Sequence, residues 1–546
     1  MSRPAGARRG PVRIALVLSG GASLGSWVAG VLSELIGALV DGERRDATIQ
    51  VIAGSSSGAV NAALAARALA VNPELLPFLR RLWVEALDAH TLLDPERPHR
   101  AGLLDDRALH ELSRALITAD AAADDRVAPG VTDRLHLGMA LSNLGGVPHR
   151  YRYPFRNAPE RSCGVRVHRD AITFHLRPPV AAVDPVWERI RVAALASAAF
   201  PFAFPPVRLA RPDSDYPDAC FAGPADGGRD MWFVDGGLFA NEPIGLAKRL
   251  VESVPDYRSA EWRYLLVDPD LSEEEARMAP PASLDDVAGA LTHAVLGQAA
   301  AQDWVRATET NIRVELFEAI VARLPEIAEG LCDPDALELG LHIGRLAEDV
   351  AEWRSARAGD GESEALALLD AAIARIETDP RFEPVLARVS TRAARTRLAK
   401  LIYVLEAAGD LRDKQVLPLY LVAPRADEPL AGSLLGNFGG FLDPEWRAHD
   451  FAAGRRDGGR LLVRHFSDVL DYRTDPETLA VELRERPSLA TAQRGTRERL
   501  DDYVDRETAR LLDSMRPGLI ASALGWLWKP TVRRWVRSRA RELLGG

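Results

Sequence analysis

Cysteine is scarce in this sequence, with only three among 546 residues. Cys163, Cys220 and Cys332 are too few and too widely spaced for a disulfide framework or a CxxC metal clip. We therefore expect buried thiols in a reducing compartment, and we expect neither a metal nor a cofactor.

An excess of basic charge is also absent, because the formal net charge is −10 at pH 7. Nucleic-acid binding normally depends on clustered basic charge, so we expect no nucleic-acid partner.

Long apolar runs are missing as well. No stretch of 18 or more consecutive apolar residues occurs, which argues against a conventional membrane-spanning helix. Arginines at positions 3, 8, 9 and 13 do precede or enter an apolar stretch, as in a signal peptide. Serines and glycines interrupt that stretch, and residues 12–18 are better interpreted as a buried strand that runs into a glycine-rich turn. The expected location is the cytoplasm.

Strand-like and helix-like patterns alternate through the first half of the chain. This alternation is typical of an α/β protein in which helices cover a central mixed or parallel sheet. Two segments rich in Gly, Pro and Asp, 210–229 and 425–440, are predicted to be long surface loops. The predicted helices are 26–40 and 59–70, and the predicted strands are 12–18, 48–53, 135–141, 172–176, 232–234 and 264–267.

The second half has a different pattern. Apolar residues recur at helical spacing between about 280 and 408, so this block is predicted to be helical. Residues 417–422 return as a strand, which makes the block an insertion before the sheet is completed. We divide the chain into a basic N-terminal tail (1–11), an α/β catalytic domain (12–279), the helical block (280–408), and a C-terminal region with the returning strand and further helices (409–546).

The strongest local signal is Gly54-Ser55-Ser56-Ser57-Gly58, between a predicted strand and a predicted helix. A nucleophilic serine on a sharp strand-to-helix turn needs glycine two positions before and two positions after it, because neighbouring backbone comes close there. Only Ser56 has both glycines. The alternative is a helix N-terminus that Ser55 caps.

A second glycine-rich turn covers residues 19–25. Glycines at a helix N-terminus present backbone N–H groups to an anion, as in the oxyanion hole of a serine hydrolase. No Gly-Lys-Ser/Thr and no Gly-x-Gly pair occurs in this turn, so nucleotide binding is not supported. A plain tight turn that needs small residues is the other interpretation.

A candidate general base, Asp235, ends a predicted strand and precedes Gly236 and Gly237. A carboxylate in this position is suited to take a proton from a serine. Asp226 also precedes two glycines, but no strand leads to it, so Asp235 is preferred. An Asx turn or a cap is the alternative role for Asp235.

Together these motifs resemble the patatin-like phospholipase family of lipid acyl hydrolases. The family pattern is a glycine-rich oxyanion loop, a G-x-S-x-G elbow and a D-G-G/A carboxylate in that order. A fourth stretch, 196–206, is similar to the A-S-x-A-x-P-x-x-F-P-P segment of the family. The resemblance covers roughly residues 10–270 and implies the patatin-like serine hydrolase fold.

The resemblance also implies roles for individual residues. Ser56 would be the nucleophile and Asp235 the general base of a catalytic dyad. Backbone N–H groups of Gly20, Gly21 and Ala22 would form the oxyanion hole. The remaining motif positions would support this geometry; they are Gly25, Gly54, Gly58, Gly236 and Gly237.

Two positions depart from the family pattern. The family loop usually has a third consecutive glycine and a basic residue just before its last glycine, where this chain has Ala22 and Leu24. Alanine leaves backbone donation intact if φ stays negative, but the positive charge that would stabilise an oxyanion is missing. A further stretch, 441–451, resembles a C-terminal region of a subgroup of large bacterial patatin-related proteins.

The expected function is hydrolysis of the carboxylic esters of membrane lipids, of the phospholipase A type, with a lipid or acyl ester as substrate. One alternative is a soluble acyl-ester or thioester hydrolase with the same dyad. Another is a non-catalytic lipid-binding or scaffold protein on the patatin fold. The presence of both Ser56 and Asp235 argues against the non-catalytic alternative.

The C-terminus is predicted to be an amphipathic helix. Two roles are open: the helix packs on the core of the protein itself, or it contacts the membrane peripherally. The apolar face carries Val532, Trp535, Val536, Leu543 and Leu544, and the other faces carry Arg533, Arg534, Arg537, Arg539 and Arg541.

Deleting residues 530–546 should weaken binding to vesicles that contain anionic lipid, since each basic residue near such a surface contributes about 1 kcal/mol. Vesicle co-sedimentation of the full-length and truncated proteins measures the effect. Turnover of vesicle lipid should fall while hydrolysis of a short soluble ester continues. Unchanged partitioning, or joint loss of folding and soluble-ester hydrolysis, would favour the packed helix.

Overall fold

The computed structural model describes most of the chain between residues 11 and 479. The ranges and positions outside the description within that span are 45, 88–91, 93–103, 105, 119–127, 129, 153–161, 202, 224–227, 271–304, 326–336, 359–361, 412–413, 415, 426 and 434–436.

The centre of the fold is an eight-stranded mixed sheet, which confirms the predicted α/β class. Its order is β5-β6-β3-β2-β1-β7-β8, and β4 pairs with β3. Strands β3, β2, β1, β7 and β8 run parallel to one another, whereas β4, β5 and β6 join by antiparallel pairing. The strands are β1 (Val12–Leu18), β2 (Ala47–Gly54), β3 (Val131–Arg152), β4 (Ser162–Leu176), β5 (Val207–Arg211), β6 (Arg229–Asp235), β7 (Trp262–Val267) and β8 (Leu419–Val422).

The other regular elements of the described structure are helices. Short 3-10 or π turns connect several of them, including Ala22–Leu24, Arg81–Ala86, Ala431–Ser433 and Gly439–Leu442. The helices are α1 (Gly25–Asp41), α2 (Ser57–Ala70), α3 (Phe78–Arg80), α4 (Arg107–Ser113), α5 (Val186–Ser197), α6 (Gly237–Ala240), α7 (Ile244–Glu252), α8 (Leu337–Ala358), α9 (Glu362–Thr378), α10 (Glu383–Leu386), α11 (Arg392–Ala408) and α12 (Pro444–Leu461), together with helical residues 305–321.

The central strands β1 and β2 are almost completely buried. A parallel strand covered by helices on both faces needs apolar residues on both faces, so its sequence is a continuous apolar run rather than an alternating one. This is why the sequence predicts β1 and β2 closely.

Helix α1 is long and apolar enough, by length and composition, to cross a membrane. Among the described residues, the helical stretch Ala22–Asp41 alone passes that test, and 83% of its most apolar window is buried inside the protein. A helix can therefore be apolar enough for this test although serines and glycines interrupt its apolar run. Here α1 is a core helix, with Trp27, Val28 and Leu32 fully buried.

Helix α12 packs directly against α1 through glycines. A Cβ added to Gly454 would lie 2.0 Å from the carbonyl oxygen of Trp27, and one added to Gly30 would lie 2.1 Å from that of Phe451. The indole N–H of Trp27 also donates to Asp457 across this contact, at 3.1 Å. Residues from α12 thus share one hydrophobic core with the N-terminal strands and helices.

Residues 304–418 form a second compact unit, separate from the unit that contains the sheet. Every regular element described within it is a helix, as the predicted helical insertion requires. Its own apolar core includes Phe317, Leu369, Ile376, Leu398 and Ile402.

Three expectations are wrong in detail. Strand β5 was not predicted, because its five residues stand beside a segment rich in turn residues. The predicted surface loop 425–440 is only partly at the surface: Leu430, Ala431 and Gly440 are buried, whereas Asp427, Glu428 and Pro429 are exposed. Cys220 is exposed rather than buried.

The contact between α1 and α12 gives a stability prediction. Gly454→Ala should destabilise the fold by about 1–3 kcal/mol, because the added methyl group would overlap backbone and force the helices apart. Gly37→Ala, also in α1, is the matched control, since an added Cβ there meets nothing within 4 Å. The free energy of unfolding of Gly37→Ala should rise by about 0.5–1 kcal/mol, because alanine has a higher helix propensity than glycine. Denaturant unfolding that shows equal effects for both variants would contradict the glycine contact.

Candidate active site

Ser56 lies at the sharp turn between β2 and α2, in a conformation that is rare outside glycine (φ 52°, ψ −127°). A side chain held there stores backbone strain of the kind found at functional sites. A Cβ added to Gly54 would lie 2.5 Å from the carbonyl oxygen of Gly58, and one added to Gly58 would lie 2.3 Å from that of Leu18. The glycines on either side of Ser56 are therefore sterically required.

The structure brings Ser56 and Asp235 together. The hydroxyl of Ser56 donates to Oδ2 of Asp235 at 2.5 Å, and the backbone N–H of Gly237 donates to Oδ1 at 2.7 Å. Burial raises the pKa of Asp235 to about 6, although both hydrogen bonds act in the opposite direction. Because this carboxyl group binds a proton more readily than an exposed one, it is a stronger base.

The glycine-rich turn lies directly beside Ser56. A Cβ added to Gly20 would lie 2.8 Å from Cβ of Ser56 and 2.4 Å from Oδ1 of Asn241. No acceptor in the described part of the chain takes a hydrogen bond from the backbone N–H groups of Gly20, Gly21 or Ala22. The turn can therefore offer donors to an anion next to Ser56.

Ala22 does not meet the condition under which alanine replaces glycine without strain. Its φ is +44°, in the left-handed region, rather than negative. The side chain of Leu24 is buried and lies beside Gly432. A Cβ added to Gly432 would come within 3.1 Å of Cδ2 of Leu24.

The other motif glycines make close approaches of the same kind. A Cβ added to Gly25 would lie 2.4 Å from the indole ring of Trp83, and one added to Gly236 would lie 2.2 Å from the carbonyl oxygen of Ala140. At Gly237 the nearest atoms are side-chain oxygens of Asn241 and Asp235, both at 2.9 Å.

Ser197 and Ala199, in the segment that resembles the family, hold the backbones of Ser56 and Asp235, a role that the sequence did not predict. The backbone N–H of Ser56 donates to Oγ of Ser197 at 3.0 Å, and this hydroxyl donates to the carbonyl oxygen of Ala140 at 2.7 Å. The backbone N–H of Asp235 donates to the carbonyl oxygen of Ala199 at 2.9 Å. The Ala-Ser-Ala-Ala sequence at 196–199 marks this segment as unusual. Its role in positioning Ser56 and Asp235 depends on contacts with residues that are distant in the chain.

An apolar pocket opens at Ser56. The empty space between its lining atoms, part of which is open to solvent, is about 730 Å³. The polar side chains on its wall are Ser56, Ser57 and Ser113. The apolar wall consists of Ala22, Val60, Leu64, Leu82, Trp83, Leu87, Leu92, Leu109, Leu116, Ile117, Leu195, Ala198, Phe200, Phe204, Phe438 and Phe441.

A Ser-His-Asp triad would need a histidine beside Ser56 and Asp235, and within the described part of the chain neither His136 nor His175 takes that position. His175 lies with its Nδ1 atom 2.8 Å from Nδ1 of His136, and no hydrogen bond in the described structure joins either ring to Ser56 or Asp235. Asp226, the alternative base, lies outside the described residues. Among the residues described, no group of three or more His, Cys, Asp or Glu side chains is arranged to hold a metal ion.

Comparison with known proteins agrees with the motifs. A family model described as patatin-like phospholipase matches residues 16–248, and one described as a protein of unknown function (DUF3376) matches residues 417–515. Residues 16–248 are therefore a patatin-like phospholipase domain. The second match lies C-terminal to this domain.

Two individual proteins are similar to this chain. The uncharacterized protein y4iI of Sinorhizobium fredii (strain NBRC 101917 / NGR234) is 24% identical over 529 residues, covering 84% of this chain and 65% of that relative. This chain thus spans slightly less than two thirds of the length of that relative. The crystal structure of VipD from Legionella pneumophila aligns at 12% identity with a TM-score of 0.25, over 74% of this chain and 96% of VipD.

The raised pKa of Asp235 gives a prediction about stability. The pKa of Asp235 is about 6 in the folded protein, so the proton is retained up to about that pH, whereas an unfolded chain releases it near the ordinary pKa of 3.8. Folding stability should therefore decrease as the pH rises through this interval and stay lower above it. Asp235→Asn does not titrate at this position. Its free energy of unfolding, relative to that of wild type, should therefore rise by on the order of 2–3 kcal/mol from pH 3.5 to pH 7.5.

Denaturant unfolding of both proteins at the two pH values measures this change. The matched control is Asp230→Asn, which alters an exposed carboxylate on the same strand. The difference in free energy of unfolding between this control and wild type should change much less between the two pH values. A stability difference for Asp235→Asn that is independent of pH would contradict the raised pKa.

Proposed function

We propose that the protein is a phospholipase A-type lipid acyl hydrolase in which Ser56 and Asp235 form the catalytic dyad. The observation that carries the proposal is the 2.5 Å hydrogen bond from Ser56 to a buried carboxylate, at the wall of an apolar pocket. A serine beside a buried base, with free backbone donors next to it, is the arrangement that acyl transfer requires.

In the first half of the proposed reaction, Asp235 takes the proton as Oγ of Ser56 attacks the ester carbonyl. The carbonyl oxygen becomes an oxyanion and accepts hydrogen bonds from the Gly20–Ala22 turn. When the ester C–O bond breaks, the leaving alcohol takes the proton from Asp235. The acyl group remains on Ser56.

In the second half, a water molecule attacks the acyl group and Asp235 takes a proton from it. The tetrahedral intermediate collapses, Oγ of Ser56 leaves, and Asp235 returns the proton to it. One carboxyl group thus serves as base and acid in turn, which suits a pKa near 6 better than an unperturbed value. Asp235 is ionised above that pH and ready to accept a proton.

The apolar wall of the pocket supports an acyl chain as the group that binds there. A polar head group would lose its hydrogen bonds to water on such a surface, so it belongs outside the pocket. Location in the cytoplasm and membrane contact through residues 530–546 remain predictions from the sequence, and that segment lies outside the described residues.

Alanine substitution of the three neighbouring serines tests the nucleophile. Ser56→Ala should abolish hydrolysis of a phosphatidylcholine vesicle and of a soluble p-nitrophenyl ester, because it removes the attacking oxygen. Ser55→Ala and Ser57→Ala are matched controls that keep the flanking glycines and should retain measurable activity. Labelling with a fluorophosphonate probe should likewise depend on Ser56 alone. Equal losses in all three variants would reject Ser56 as the nucleophile.

A further inference from the structure

We infer that residues 437–442, within the C-terminal region matched at 417–515, complete the acyl-binding pocket of the patatin-like domain. Phe438 and Phe441 from this region form one wall and determine the preference for long acyl chains. This inference rests on the proposed function, and it assigns a role to a region whose family description states none.

Both phenylalanines line the pocket that contains Ser56. The ring of Phe438 packs edge-on against Phe200, with 5.4 Å between ring centroids, and lies 6.0 Å from the ring of Phe441. Phe200 and Phe204 belong to the segment that positions the dyad. Aromatic side chains from two distant parts of the chain thus form a continuous wall, and each half of that wall is incomplete without the other.

The segment that carries these rings is hydrogen-bonded to the glycine-rich turn, residues 19–25. The hydroxyl of Ser23 donates to the carbonyl oxygen of Asn437 at 2.6 Å and accepts from the backbone N–H of Gly440 at 3.0 Å. An added Cβ at Gly440 would lie 2.7 Å from this hydroxyl oxygen, so the approach needs glycine. Phe438 follows Asn437 in the chain, and Phe441 follows Gly440. The two hydrogen bonds therefore fix the positions of both rings relative to the turn beside Ser56.

Helix α12 holds the same segment from the other side. The guanidinium group of Arg447 is buried and donates to the carbonyl oxygens of Gly440 at 2.8 Å and Val84 at 3.2 Å. Val84 lies in the π turn that also supplies Leu82 and Trp83 to the pocket wall. Asp450, on α12, accepts from the backbone N–H groups of Ala431 and Gly432 at 2.7 and 2.9 Å. A fixed wall of this kind discriminates between chain lengths, whereas a mobile one adapts to them.

The chemistry of the wall favours an unbranched acyl chain of intermediate or greater length. A short chain such as butyryl ends close to Ser56 and gains little from the phenylalanines. A dodecanoyl chain extends far enough to contact them and gains apolar burial for each methylene. A methylene in a hydrophobic pocket changes selectivity by roughly 10–200-fold, so loss of one ring should be measurable.

The test compares kcat/KM for p-nitrophenyl dodecanoate with that for p-nitrophenyl butyrate. In Phe438→Ala and Phe441→Ala the dodecanoate-to-butyrate ratio should fall roughly tenfold, mainly through KM for dodecanoate. Val463→Ala is the matched control, since this residue is exposed in the same C-terminal region and does not line the pocket. If an alanine variant does not fold, Phe441→Trp replaces it. The larger ring narrows the pocket, and the ratio should again fall.

A binding measurement separates this inference from the proposed function. Titration calorimetry with dodecanoate is performed on Ser56→Ala and on Ser56→Ala combined with Phe441→Ala. Weaker binding in the double variant supports the pocket wall even if the wild type hydrolyses neither ester. Hydrolysis by the wild type, with an unchanged ratio in folded phenylalanine variants, overturns the inference and leaves the proposed function standing. Equal loss of dodecanoate and butyrate hydrolysis in folded phenylalanine variants also overturns the inference. Absence of dodecanoate binding to Ser56→Ala overturns it as well.

Discussion

The close approach of two strand-to-helix turns is the constraint on which the rest of the site depends. The turn after β1 and the turn after β2 lie side by side, because β1 and β2 are parallel neighbours in the sheet. Only glycine fits where their backbones meet: Gly58 lies against Leu18, and Gly20 lies against Ser56. This contact places a hydroxyl group in a strained turn directly beside unpaired backbone donors. The strain at Ser56 persists because buried parallel strands on both sides over-determine it.

Burial of Asp235 links stability to chemistry. A carboxyl group in an apolar setting loses hydration, which raises its pKa and makes it a better base near neutral pH. The same burial destabilises the folded state once the group ionises. In the proposed mechanism the two hydrogen bonds from Ser56 and Gly237 orient the carboxylate, and they offset only part of this cost. The fold therefore gives up stability at the position where a strong base is needed.

Helix α12 and the segment before it belong to the same unit as the sheet, and residues of α12 are part of its core. Glycines allow α12 to lie against α1, and Arg447 ties the segment before α12 to the pocket wall. Leu24, which stands where related loops usually carry a basic residue, contacts this region at Gly432. A charged side chain at that position would be buried against backbone, at a large desolvation cost. The departure from the family pattern and the presence of the extension thus have one structural explanation.

Local patterns in the sequence were sufficient for the central strands, helices α1 and α2, and the serine that the glycine spacing selects. Those features depend on residues within a few positions of one another, and on burial that makes a whole strand apolar. The partners of Ser56 and Ser23 depend on tertiary structure instead, since Ser197, Asn437 and Gly440 lie 141 to 417 residues away in the chain. The segment 425–440 illustrates the difference. Its glycines and prolines indicate a loop correctly, but only tertiary contacts with Ser23 and with Asp450 of α12 decide that part of this loop is buried near Ser56 while the rest is exposed to solvent.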